Sequence, residues 1–261
     1  MSKTVFFDID GTIWDDDMVI PESTLEAVAA LKANGHLAFI CTGRARASVR
    51  SEKLLNMGVD GIIAACGNYI EMDGKVIYEN DLSADMVQKV IRVLSECKMP
   101  VVLEGSTDYW IDDEGFEDDP YVDYLFESLG EHAHIIRGYD GEIRINKFSA
   151  DVIDGTDYER VKAEFADDFL ILEHVENVVE FVPKGTSKAT GSKWLCNHLD
   201  IPLDETYAIG DSVNDLEMLE SVGHGIAMGN SMPPVKEIAE YVTSDISDDG
   251  VKNALKHYGL I

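Results

Sequence analysis

The chain has 261 residues, 45% of them hydrophobic, and its 50 acidic against 21 basic side chains give a formal net charge of −29. That length fits one large domain or two smaller ones with a real core, and the acidity argues against nucleic acid and anionic membrane surfaces, which call for Lys and Arg. No run approaches the ~18 apolar residues of a membrane helix, and the first strand begins without a basic-then-apolar leader, so a cytoplasmic protein is expected.

Residues 4–8 read as a buried strand, with Val5-Phe6-Phe7 leading into Asp8 and Asp10 of TVFFDIDGTIWDDD. Pro21 to Ala33 carries Leu25, Val28, Ala29 and Leu31 near helical spacing, and Asn34-Gly35 supplies the stop. His36 to Cys41 is the second strand, a helix is predicted from about Arg44 to Met57, and Gly61 to Ala65 is the third strand. This βαβαβ rhythm predicts an α/β fold with a doubly wound, Rossmann-like parallel sheet.

The rhythm then changes. A helix over 83–97 is followed by strand-like runs at 100–104, 108–112, 142–149, 169–175 and 178–182, with shorter helices near 121–129 and 157–166. Glu176-Asn177 reads as the turn between the last two strands. From Lys184 the first rhythm returns: helix 187–199, strand 206–210, helix 213–221, strand 224–228, helix 232–239, strand 241–243 and a helix near 248–257. The expectation is a core built from 1–82 and 183–261, with an α+β domain inserted over 83–182. The insert holds 25 acids and 8 bases, against 25 and 13 in the rest, so it is the more acidic part per residue.

Cys41, Cys66, Cys97 and Cys196 lack CxxC spacing and read as buried or semi-buried reduced thiols. His132 and His134, beside acidic residues, read as part of an exposed turn rather than as metal ligands. Asp112 to Glu114 and Glu117 to Asp119 read as solvated turns.

Asp8 and Asp10 resist such a reading, because a carboxylate buried at a strand end without a partner loses its solvation. Both can address one point beyond the carboxyl end of the strand, where open α/β sheets bind ligands. The second strand ends in Thr42, Gly43 and Arg44, an anion site if a helix begins there; alone, Thr42 would read as a helix cap. The strand at 206–210 runs into Asp211, Asn214 and Asp215, which alone would also read as caps. Lys188 stands near a helix start, unfavourable to the helix dipole unless an anion is close. The surrounding PKGTSKATGSKW does not have P-loop spacing. Together these pieces place carboxylates, a hydroxyl and an ammonium at neighbouring strand ends. Asp8, Asp10 and Asp211 would repel each other without a cation, and hard oxygen ligands with open positions suit Mg²⁺.

DIDGT, CTGR, Lys188 and GDSVNDLEML resemble, in that order, the four motifs of the haloacid dehalogenase superfamily of phosphatases. The resemblance is to the Cof-type branch, whose α+β cap is inserted between the second and third motifs, and GIAMGNSMPPVKEIA resembles that branch's later stretch. It implies Asp8 as nucleophile and Asp10 as general acid/base. Thr42, Gly43, Lys188 and Asn214 would lie at the phosphoryl group. Asp8, the Asp10 carbonyl and Asp211 would hold Mg²⁺, with Asp215 supporting that shell. It implies a small phosphorylated metabolite, a sugar phosphate above all, as substrate, with no nucleic acid or membrane partner and an oligomeric state left open. A phosphomutase or phosphotransferase of similar fold, or a non-catalytic sugar-phosphate binder, are the alternatives. Two residues depart from the branch: Cys66 stands where an Asn commonly precedes Gly, so an amide is lost or replaced by Asn68, and Trp14 replaces a smaller aliphatic residue and reads as packing.

Overall fold

The computed structural model describes every residue except Met1, Asp118, Val175 and Glu176. Glu176 of the expected turn and Asp118 of the acidic run 117–119 therefore lie outside the described residues. The chain divides into two compact units, one formed by Met1–Gly43, Ser51–Tyr78 and Thr186–Ile261, the other by Arg44–Arg50 and Glu79–Gly185.

The first unit is built on the strands β1 (Thr4–Phe7), β2 (Leu37–Cys41), β3 (Gly61–Ala64), β4 (Tyr69–Met72) and β5 (Lys75–Glu79), joined from the far end of the chain by β12 (Thr206–Gly210), β13 (His224–Ala227) and β14 (Tyr241–Val242). They form one sheet in the order β14-β13-β12-β1-β2-β3-β4-β5. β1 lies in the middle and pairs in parallel with both β12 and β2. Its four residues are buried on both faces, as a parallel strand covered by helices must be.

Helices α1 (Glu22–Ala33) and α9 (Gly250–His257) pack on each other and are tied by Lys252 Nζ to Glu26 at 2.7 Å. A separate apolar cluster joins Phe6, Phe39, Cys41 and Ile63 of the sheet to Leu195 of α6 (Lys188–His198), Met218 and Leu219 of α7 (Leu216–Ser221), and Val235 of α8 (Pro233–Ile238). The doubly wound α/β core is therefore as expected.

Three local expectations are corrected. No helix runs from Arg44 to Met57: a three-residue 3₁₀ turn (Arg46–Ser48) and the single turn α2 (Glu52–Leu55) stand there. Ala45, Ala47 and Val49 are buried while Arg46 and Ser48 are less so, a period of two that a helix cannot bury. The core sheet is not wholly parallel, because β4 runs antiparallel to β3. The expected strand at 142–149 is displaced to β9 (Lys147–Asp151).

The second unit contains α3 (Ala84–Glu96), β6 (Val101–Glu104), β7 (Tyr109–Ile111), α4 (Pro120–Leu129), β8 (Ala133–Ile135), β9, α5 (Tyr158–Phe165), β10 (Phe169–Glu173) and β11 (Val178–Pro183). Its sheet has the order β10-β11-β9-β6-β7-β8. Side chains alternate across that sheet. Leu103, Phe148 and Phe181 join Val90 and Leu94 of α3 and Phe165 of α5 in one core, where Phe148 stacks on Phe181 at 4.5 Å. The neighbouring residues Glu104, Lys147 and Glu180 are also buried, and Lys147 Nζ lies 3.3 Å from Glu104 and 2.5 Å from Glu180. His134 belongs to β8 rather than to a turn, and both it and His132 bond Asp108 Oδ1, at 2.9 and 3.2 Å.

All four cysteines are free and buried. Among the described residues, no helix is long and apolar enough to cross a membrane.

Candidate active site

The carboxyl ends of β1 and β12 are adjacent, so Asp8 and Asp211 follow side by side from paired strands. Asp8 is 3% exposed. Its Oδ1 accepts from Lys188 Nζ at 2.6 Å, and the same ammonium donates to Asn214 Oδ1 at 2.9 Å and Asp215 Oδ1 at 2.7 Å. All three ammonium protons are thereby used. Burial alone would strip the Lys188 proton, but Asp215 and Asp8 outweigh it and hold the ammonium well above its ordinary range.

Local geometry explains how a residue in the first turn of α6 reaches that point. Ser187 caps the helix, accepting from Thr190 N while Thr190 Oγ1 accepts from Ser187 N, a reciprocal capping box. The helix is seated against the turn Ala65-Cys66-Gly67, in which all three residues have positive φ, at 49°, 52° and 85°. A Cβ on Gly191 would lie 2.7 Å from Gly67 Cα and from Ile63 Cγ2, so only glycine allows this approach. Strain of this kind persists only where the surroundings enforce it. Here Cys66 N–H donates to Thr42 O at 3.2 Å, and the buried Asn68 amide donates to Ala65 O and Thr186 Oγ1 at 2.8 and 3.0 Å. Both protons of that amide are engaged, so Asn68 ties the turn and does not stand in as a phosphate donor. Cys66 is buried and lines the same corner, 3.6 Å from where a Cβ of Gly43 would lie.

Asp215 is fully buried, and its second oxygen accepts from Asp211 N at 3.0 Å and Ser212 N at 3.1 Å. It therefore caps the turn entering α7 and braces Lys188 at once. Asp211 accepts from Thr12 Oγ1 at 3.1 Å. Gly11, at φ +76°, leaves room for it: a Cβ there would fall 2.4 Å from Asp211 Oδ2. Thr42 is buried at the end of β2, and its N–H is spent on Ile63 O at 2.8 Å. Because no helix begins at Arg44, the CTGR segment offers no helix N-terminus to an anion, and that part of the sequence expectation is withdrawn. Asp10 is an exposed residue, and its Oδ1 accepts from Trp14 Nε1 at 2.8 Å.

Asp8, Asp211 and Asp215 each place one carboxylate oxygen within 4.8 Å of the others, which is the spacing of a shared cation site. Asp10 contributes no side-chain oxygen to this group. Burial and Asp215 push the Asp8 carboxyl well up, against the pull of Lys188, and burial with Asp215 raises Asp211 to about 6. One ammonium thus faces an excess of negative charge, and a divalent ion on hard oxygens is the complement that this set fits. Both oxygens of Asp215 are occupied by Lys188 and backbone N–H groups, so Asp8 and Asp211 are the carboxylates of this group that could bind an ion directly.

Three contacts at the site are not visible in the sequence pattern. Thr12 supports Asp211, Asn230 Nδ2 donates to Gly11 O at 2.7 Å, and Trp14 reaches Asp10. The first two lie inside motifs whose polar side chains were not assigned individually.

Residues 5–255 match the family model described as haloacid dehalogenase-like hydrolase. YkrA of Bacillus subtilis (strain 168) is 34% identical over 277 residues, covering 100% of this chain and 99% of that one. The 5-amino-6-(5-phospho-D-ribitylamino)uracil phosphatase YitU of the same organism is 29% identical, with 97% and 96% covered. Two further relatives are longer, and the chain spans 54% and 46% of their length. Among solved structures, a protein of Geobacillus kaustophilus HTA426 superposes with a TM-score of 0.87 at 30% identity over the whole of both chains. A subclass IIB sugar phosphatase does so with a TM-score of 0.79 at 26% identity, again over both chains. With the four motif segments meeting at one end of the core sheet and the match running along nearly the whole sequence, the chain belongs to the haloacid dehalogenase-like hydrolase family.

Proposed function

We propose that the protein is a Mg²⁺-dependent phosphatase that hydrolyses small phosphomonoesters, sugar phosphates in particular, through a phosphorylated Asp8. The observation that carries this reading is the buried Lys188 ammonium held between Asp8, Asn214 and Asp215. It braces Asp8 in one orientation and brings a positive charge to where phosphoryl oxygens would sit. The core 1–82 and 183–261 would carry the chemistry, and the inserted 83–182 would select the substrate.

Asp8 attacks phosphorus with one carboxylate oxygen while Asp10 protonates the departing ester oxygen. Asp10, now ionised, takes a proton from water as that water attacks the aspartyl-phosphate, and Asp8 is released. Thr42, Gly43 and Lys188 hold the transferring group, and Asn214 keeps the ammonium in line. Asp8, the Asp10 carbonyl and Asp211, with Asp215 behind them, would hold Mg²⁺, which would supply charge neutralisation at the phosphoryl oxygens. Splitting the reaction over a covalent intermediate and stabilising charge with fixed groups are the two contributions such hydrolysis needs. The substrate class is supported by relatives named for different small phosphorylated compounds, among them a sugar phosphatase and the HMP-PP phosphatase of Yersinia pseudotuberculosis, 27% identical.

The test is phosphate release from a panel of small phosphomonoesters, with isomerised sugar phosphate measured alongside. Release is expected with Mg²⁺, lost in EDTA and restored by Mg²⁺, and absent from Asp8→Asn. Equal release by native protein and Asp8→Asn would refute the assignment of the nucleophile.

A further inference from the structure

The loop that carries Asp10 is wound around a single carbonyl. Ile9 O accepts from Thr12 N, Ile13 N and Trp14 N at 3.2, 2.8 and 3.1 Å, and Gly11 N donates back to Trp14 O at 2.9 Å. Asp10 and Trp14 form an isolated bridge, so their side chains leave neighbouring points of the backbone. Trp14 is 3% exposed, whereas Asp10 is an exposed residue. A buried indole needs a partner for its N–H, and here that partner is Asp10 Oδ1 at 2.8 Å. Packing alone would account for an apolar side chain at this position. It does not account for a donor aimed at the one carboxylate that the proposed reaction uses for proton transfer.

We propose that Trp14 is the positioning residue for Asp10, its indole N–H holding Oδ1 so that Oδ2 is the oxygen that exchanges protons with the substrate. The proposal rests on the reading of Asp10 as general acid/base. Indole N–H is a donor only and cannot receive a proton. An oxygen that accepts from it serves as the carbonyl-like oxygen of the acid, so the proton is carried on Oδ2. In the first half-reaction the Oδ2–H bond breaks and the proton joins the ester oxygen as its bond to phosphorus breaks and the Asp8–phosphorus bond forms. In the second, Oδ2 takes a proton from water as the water oxygen bonds to phosphorus and the Asp8–phosphorus bond breaks. Trp14 exchanges neither protons nor electrons in either step.

The experiment compares Trp14→Phe with the native protein on two substrates, a hexose 6-phosphate and p-nitrophenyl phosphate, using kcat/KM. That constant reports the steps up to formation of the phosphorylated Asp8. The alkyl leaving group depends on protonation, whereas the nitrophenolate leaves without it. General acid catalysis contributes about 10²- to 10⁴-fold, so a misaligned acid is expected to lower the hexose phosphate value by about tenfold or more. The p-nitrophenyl value is expected to stay within about twofold, and the extra loss is expected to vanish in an Asp10→Asn background, as non-additivity within one unit requires. An equal fall on both substrates, or no fall on either, while Asp8→Asn abolishes release, would overturn the role of Trp14 and leave the phosphatase reading standing. No release from either substrate by the native protein would overturn the phosphatase reading itself, and equal release by Asp8→Asn would overturn the nucleophile. Should Trp14→Phe fail to fold, the benzothienyl analogue of tryptophan at position 14, with sulfur in place of N–H at nearly the same shape, carries the same expectations.

Discussion

Replacing Lys188 by Met keeps the length of the side chain and removes the ammonium from a site where it is 1% exposed. Three acceptors then lose their donor together: Asp8 Oδ1 at 2.6 Å, Asp215 Oδ1 at 2.7 Å and Asn214 Oδ1 at 2.9 Å. Breaking a buried ion pair from one side costs about 3–5 kcal/mol, because the remaining charge is buried without compensation. In a domain of about 150–250 residues each kcal/mol moves the melting temperature by about 2–4 °C, so a fall of about 6–20 °C is expected in EDTA at pH about 7.5. Asp8, whose carboxyl burial and Asp215 already push well above 3.8, then has no opposing cation. A carboxyl raised on folding makes the folded state bind more protons, so stability rises as the pH falls toward the unfolded value. The melting temperature of Lys188→Met is therefore expected to recover in part between pH about 7.5 and about 5.5, as read by calorimetry. A shift below about 2 °C, or a deficit that does not change with pH, would show that Lys188 does not neutralise Asp8 and Asp215 as the geometry requires.

Gly191→Ala places a methyl 2.7 Å from Gly67 Cα and Ile63 Cγ2, so it is expected to destabilise by about 1–3 kcal/mol through overpacking and to lower phosphate release by displacing Lys188. Unchanged melting and activity would mean that the helix and the turn are not in close contact. In the second unit, burial raises the Glu180 carboxyl but Lys147 and His174 outweigh it and bring it down to about 2. A depressed carboxyl contributes stability that is present above its unfolded value, 4.5, and is lost as pH falls through the folded value. The melting-temperature gap between native protein and Glu180→Gln should therefore narrow from pH about 5 to about 2, and a constant gap would contradict the ion pair.

What could be read from the sequence follows from how local each signal is. The core strands were legible because Val5-Phe6-Phe7 and its counterparts are apolar runs bounded by helix signals. The β4–β5 hairpin was passed over, although Asp73-Gly74 between two short strands is a turn signal in its own right. β8 has three residues, too few for alternation to show. Asp8 stands out in the sequence because burying a carboxylate needs a reason, and Lys188 because an ammonium near a helix start calls for an anion, whereas Asp215 alone reads as a cap and stands out only through the resemblance. Trp14 was read as packing, and it is buried; the direction of its N–H depends on the tight winding of residues 9–14, which spacing alone does not reveal. The segment after CTGR was misread because Arg44 and the following apolar residues suggested a helix, whereas their burial follows a period of two.

The hairpin has a further effect, on how copies of the chain would meet. Without β4 and β5, the edge of the core sheet would be β3, a strand of apolar residues with unpaired backbone groups, open to the strand of a second molecule. Instead the row ends in β5, which begins with the exposed Lys75 and finishes with Glu79, and the opposite border is β14, only two residues long. One border is charged and the other is too short to template a ladder. Deleting 69–79 would remove that guard, and self-association through β3 is the expected result.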